Sequence, residues 1–150
     1  MIKNNNPLIS ILIANYNNGH YINQAIDSVI KQDYNNWEII IVDDFSCDDS
    51  IEKTDLYKGD VRIKVFQNEK NYGCGYTKAR CVLESDGDYC GFLDPDDVLV
   101  ENAISTLFQI ISKRVEICRI CHIKTPLTSK SERVQRWGLI SLRLKSPAIE

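Results

Sequence analysis

Residues 8–14 form a near-continuous apolar run rich in β-branched side chains, the pattern of a strand buried on both faces of a parallel sheet. Asn17, Asn18 and Gly19 punctuate it. Tyr21, Ile22, Ala25, Ile26, Val29 and Ile30 then recur at helical spacing. Residues 37–42 predict a second buried strand ending on Asp43 and Asp44. Ser46, Asp48 and Asp49 offer capping oxygens for a helix near 49–57. Residues 61–66 alternate as a third strand, and 73–75 open a helix carrying Ala79, Val82 and Leu83. Residues 89–93 predict a fourth strand running into Asp94. Ala103, Ile104, Leu107, Phe108 and Ile111 mark the next helix, and a further strand is expected at 115–123. Past Lys124 the pattern fades, with 137–144 a weaker strand candidate.

Strand and helix alternate throughout, which predicts an α/β fold: a three-layer α/β/α sandwich around a mostly parallel, Rossmann-like sheet. Two segments are expected, a binding domain over 1–124 and a basic tail over 125–150. Charge supports the division. Residues 1–112 carry 9 Lys and Arg against 18 Asp and Glu, while 113–150 carry 9 against 3. The tail reads equally as a solvated end or as a binding surface, for a partner or for peripheral association with a membrane. With a net charge of -3, nothing favours a nucleic-acid partner.

The first apolar run is only seven residues long, and no stretch nears the roughly 20 apolar residues that cross a bilayer. The expectation is a cytoplasmic protein without a membrane span, its six cysteines reduced. Cys118, Cys121 and His122 match the haem c attachment string. No export signal supports that chemistry, and no second Cys pair completes a zinc site, so these cysteines are read as packing residues.

Parallel sheets bind ligands at the carboxyl ends of their strands. Three of the expected ends here are polar: Asn15-Tyr16-Asn17, Asp43-Asp44, and Asp94 with Asp96 and Asp97. Hard cations such as Mg²⁺ and Mn²⁺ take oxygen ligands, often one or two carboxylates completed by phosphate and water. Any one of these acids could instead cap a helix. Two acidic clusters at strand ends of one small sheet favour a site, because crowded like charges need a compensating cation. Tyr16 has two readings, a ring stacked on a nucleobase or a lid on the core. Arg80 pairs with a phosphate or lies on a solvated face. Gly73 and Gly75 lack the third glycine of a dinucleotide loop, since residue 78 is Lys. His20 and His122 have no nucleophile partner that would make a hydrolase triad.

Taken together, 7–17 (PLISILIANYN), 26–32 (IDSVIKQ) and 38–50 (EIIIVDDFSCDDS) resemble the opening of glycosyltransferase family 2. Asn71-Tyr72-Gly73, Ala79-Arg80, 87–89 (GDY) and 92–97 (FLDPDD) follow in that family's order and spacing, so the resemblance spans about 7–112. It implies a GT-A fold and inverting transfer of a sugar from a nucleotide diphosphate donor, a uridine one foremost, to a hydroxyl on a glycan or lipid-linked acceptor. By the same resemblance Ala14, Tyr16, Asp44, Arg80 and Asp94 would hold the nucleotide sugar. Tyr16 would stack on the base, Asp44 would bond base or ribose, and Arg80 would assist the nucleotide. Asp94 and Asp96 would form the Asp-x-Asp motif that contacts ribose and Mg²⁺ or Mn²⁺, with Asp97 a neighbouring ligand. Asp43 would support the turn.

Two departures stand out. Cys81 occupies a position where Asn is common, which implies an altered donor contact along that helix edge. The length falls about a hundred residues short of the family, whose later half supplies the general base, and 125–150 offer only Glu132 and Glu150. The expectation is therefore a truncated donor-binding half. The rival readings are a domain that binds a nucleotide sugar without transferring it and, more remotely, a two-component receiver domain.

Overall fold

The computed structural model describes residues 6–113. The order is β1 (Ile9–Asn15), α1 (Gly19–Ile30), β2 (Trp37–Asp43), α2 (Ser50–Asp55), β3 (Ile63–Gln67), α3 (Cys74–Glu84), β4 (Tyr89–Phe92) and α4 (Ala103–Lys113). The expected strands at 115–123 and 137–144, the Cys118/Cys121 pair and the tail lie outside the described residues.

All four strands are parallel, in the order β3-β2-β1-β4. Ile9 pairs with Trp37 on one side and Tyr89 on the other, and Asn15 pairs with Asp43. The chain winds outward from β1 through β2 to β3, then returns to the far side of β1. That reversal opens a crevice at the carboxyl ends of β1 and β4, where open α/β sheets take ligands.

The period-2 geometry of strands divides the apolar runs between two layers. Ile9, Ile11, Ile13, Ile39 and Ile41 pack with Ile22, Ala25, Ile26 and Val29 of α1 and with Ile104 of α4. Leu12, Ile40 and Val42 face the other way, onto Cys81 and Val82 of α3. β1 and β2 are therefore covered on both faces, which is why they read as unbroken apolar runs. Each fully buried Ile or Leu contributes about 1.5–3 kcal/mol.

Polar clamps fix the connections. Gln32, 5% exposed, donates through Nε2 to the Ser28 and Val100 carbonyls and accepts the Ile104 N–H at Oε1, tying the end of α1 to the start of α4. At the amino pole, Glu38 accepts Ser10 Oγ at 2.6 Å, the Asp86 N–H at 2.6 Å and the Gly87 N–H at 3.0 Å, and pairs with Lys64 at 2.9 Å. β3 starts two residues later than expected, because the Arg62 side chain and N–H fold back on Asp60 and prolong the turn.

Candidate functional site

A cleft of about 310 Å³ lies at the carboxyl pole. The end of β1 contributes Ala14, Asn15, Tyr16 and Asn18, and the end of β2 contributes Asp44. The approach to α3 and its first turns supply Asn71, Gly73, Cys74, Thr77 and Lys78. The turn after β4 supplies Asp94, Pro95 and Asp96. The three polar strand ends singled out in the sequence thus converge on one cavity.

Tyr16 is 45% exposed at the mouth, available to a ligand rather than closing the core. Beneath it Asn15 is buried, and its Nδ2 donates to Asp43 Oδ1 at 2.7 Å. Asp43 in turn accepts the Ser46 N–H at 2.9 Å and holds the turn. In that turn Phe45 takes a φ of 63°, and Asn17 takes 53° after β1, so each turn beside the cleft passes through left-handed backbone.

Asp44 is 2% exposed and its carboxylate is fully engaged by the protein. Oδ1 accepts Asn68 Nδ2 at 2.7 Å and the Tyr72 N–H at 2.9 Å, and Oδ2 accepts the Gly73 N–H at 2.7 Å. Burial opposes its ionisation, but the Tyr72 amide, Asn68, the Gly73 amide and Thr77 prevail and hold its pKa below the usual carboxylate range. Gly73 adopts a φ of 86°, a conformation glycine reaches without strain, and this lets α3 begin over the cleft.

Arg80 lies behind this arrangement and is not among the residues lining the cleft. Its Nη1 donates to Asn68 Oδ1 at 2.6 Å and to the Gln67 carbonyl at 2.9 Å, so it meets the cleft only through Asn68 and Asp44. Lys78, which the sequence reading passed over as a departure from a glycine motif, stands in the wall instead, 3.2 Å from Asp94. Helical spacing from Gly73 was the usable signal: residues 77 and 78 fall one turn after 73 and 74, on the same side. Asn68, Asn71 and Thr77 were missed as well, since isolated polar residues at element ends carry no periodicity.

Asp96 is exposed and makes no hydrogen bond or ion pair among the described residues. Asp97 closes the turn through its N–H to the Asp94 carbonyl at 3.0 Å, and its side chain does not line the cleft. Neither acid caps a helix, because α4 begins only at Ala103. The N-cap residues of α1 and α2, Asn18 and Asp49, make no side-chain cap bond; Asp48 instead accepts the first N–H of each helix, Ser50 at 3.1 Å and Gly19 at 2.8 Å. Cys81 corrects one expectation: it is fully buried, with Sγ 3.5 Å from the Ile13 carbonyl, so the departure there changes core packing rather than a donor contact.

Among the described residues no three His, Cys, Asp or Glu side chains form a ready-made metal cage. Asp94 and Asp96 nevertheless suit a hard cation that takes one or two carboxylates and completes its shell with water and phosphate oxygens. No helix of the described residues is long and apolar enough to cross a membrane.

Known proteins resemble this arrangement. The chain is 36% identical over 108 residues to glycosyltransferase GlyG of Streptococcus pneumoniae, covering 71% of this chain and 36% of that protein. It is 35% identical over 106 residues to the Escherichia coli UDP-Glc:alpha-D-GlcNAc-diphosphoundecaprenol beta-1,3-glucosyltransferase WfgD, covering 71% of this chain and 42% of that one. Among solved structures, S. aureus TarS residues 1–349 in complex with UDP-GlcNAc superposes with a TM-score of 0.68 at 26% identity, over 71% of this chain and 32% of that 1–349 chain. The chain thus spans less than half the length of these relatives. The parallel sheet with helices on both faces is the Rossmann-like GT-A arrangement of TarS. With the family model for glycosyl transferase family 2 matching residues 10–145, the receiver-domain alternative falls, and the chain belongs to glycosyl transferase family 2.

Proposed function

We propose that the cleft binds a nucleotide diphosphate sugar, a uridine-linked one, and that the whole protein transfers the sugar with inversion to a hydroxyl on a glycan or lipid-linked acceptor. The observation that carries this reading is the convergence of Tyr16, Asp44, Asp94 and Asp96 on one cavity at the switch point of the sheet. TarS is solved with UDP and with UDP-GlcNAc in a related fold, and WfgD is named for a UDP-linked donor and a lipid diphosphate acceptor. Tyr16 offers a ring face to the base. Ala14, small and beside it, leaves room for the base to lie flat. Asp44 shapes the base and ribose pocket through the Tyr72–Gly73 turn it holds, and Arg80 supports that tie through Asn68.

Asp94 and Asp96 would hold Mg²⁺ or Mn²⁺, with Asp97 stabilising the turn beside them. A divalent cation there would neutralise charge on the departing diphosphate. Titration of the chain with UDP, with and without Mn²⁺, tests the reading. Metal-dependent binding is expected, reduced about tenfold or more in Asp96→Ala, or roughly 1.4 kcal/mol. Absence of any nucleotide binding by the unmodified chain would falsify it.

A second reading, binding without transfer, is favoured by one observation. Of the carboxylates lining the cleft, Asp44 is tied to the protein, Asp94 is ion-paired and Asp96 is assigned to the metal. With those assignments none of these three remains to deprotonate an acceptor. Turnover of a nucleotide sugar by this chain with an acceptor present separates the two.

A further inference from the structure

Three carboxylates and a single basic side chain line the cleft among the described residues. An anionic diphosphate entering such a place needs a cation to meet it. Asp44 is compensated internally by its amide donors. The remaining positive charge is Lys78, and its position is specific. Nζ lies 3.2 Å from Asp94 Oδ1 and 5.3 Å from the centre of the Phe92 ring, so both anchors belong to the end of β4. Arg80, two residues further along α3, is turned about 200° around the helix, and its guanidinium is bound to Asn68 and the Gln67 carbonyl. Helix geometry gives the two basic side chains opposite duties.

We propose that Lys78 is the resident cation of the cleft: it neutralises Asp94 while the cleft is empty and passes to the donor's diphosphate when the donor binds. This rests on the nucleotide-sugar reading above. The pair suits an exchange of partners. At 3.2 Å and with both side chains about a third exposed, it is a weakly held ion pair. A lysine has three donors on a flexible four-carbon stem, so the same ammonium can swing to phosphate oxygens without backbone movement. While Lys78 sits on Asp94 it also competes with any divalent cation for that carboxylate.

Two measurements on the full 150-residue chain test the proposal. The first is Mn²⁺ binding without nucleotide, read from the free-ion resonance signal. Lys78→Met should tighten Mn²⁺ by about threefold or more by releasing Asp94, and adding Asp94→Asn should abolish the gain. The second is UDP binding at saturating Mn²⁺, where a change in metal affinity no longer contributes. Lys78→Met should weaken it about tenfold, the order of one lost charge-assisted contact, while Lys78→Arg retains most of it. Uridine, which lacks phosphates, should bind wild type and Lys78→Met alike, and a difference there would mark mere structural damage and overturn the assignment. Lys78→Gln takes the place of the methionine variant if the latter does not fold. Either arm unchanged within about twofold overturns the proposal. A wild-type chain that binds no UDP under any condition instead sinks the donor-site reading, and this assignment with it.

Discussion

Asp44 and Glu38 are two buried carboxylates at opposite poles of the sheet, and each stays ionised for the same reason. Burial favours the neutral acid at Glu38, but Ser10 Oγ, the Asp86 amide and Lys64 outweigh it, and the pKa falls below the usual range. Asp44 follows the same pattern with its own donors. A carboxylate with a depressed folded-state pKa binds its proton less readily folded than unfolded. Its contribution to stability is full above the unfolded value of about 4 and is lost as the pH falls from there through the folded value. Thermal melts from pH 7 downward should show stability dropping below about pH 4. Glu38→Gln should be less stable at neutral pH yet show a shallower acid slope, and an unchanged slope would count against the clamp. Little of this was readable in advance. The sequence places Asp44 after a strand, but its protein donors come from residues 68, 72 and 73, far off in sequence.

At the scale of elements, the strands were legible because burial on both faces writes itself as uninterrupted apolar runs. α1 was legible because one stripe of it is buried. Boundaries were less so. α2 stops at Asp55, and β3 starts late because of the Asp60–Arg62 fold-back. Helix α3 was found, but the direction each polar residue faces was not. Its mean pattern is weakly apolar, so residues 78 and 80 both read as solvated until the sheet it lies on is known. The joint between β1 and β4 was likewise invisible. Gly87 donates its N–H to Ser10 Oγ at 2.9 Å, and a Cβ there would sit 2.3 Å from that oxygen and 2.8 Å from the Ser10 backbone nitrogen. Because backbone atoms cannot step aside, Gly87→Ala should destabilise by about 2 kcal/mol in a denaturant titration. A change under about 0.5 kcal/mol would mean the joint is looser than these distances imply.

For the molecule as a whole, the two poles of the sheet have different tasks. The amino pole carries the Glu38 clamp, whose side chains bind one another. The carboxyl pole carries Tyr16, Asp94 and Asp96 around an open cavity, with Asp44 tied into its wall. The order β3-β2-β1-β4 brings the ends of β1, β2 and β4 within reach of one ligand, which no single segment of the sequence reveals.

One wall of that cavity has a practical use. Cys74 is an exposed thiol at the start of α3, whereas burial pushes the Cys81 thiol up to about 12, where it resists modification. In a chain with Cys47 replaced by serine, the fast alkylation at residue 74, followed by peptide mass, should slow several-fold when UDP and Mn²⁺ are added. Equal rates with and without nucleotide would place the ligand elsewhere. Slowed alkylation would give the chain a native chemical gauge of occupancy. The same sulfur offers an attachment point for electrophile-bearing nucleotide analogues, by which an occupied cleft could be captured covalently.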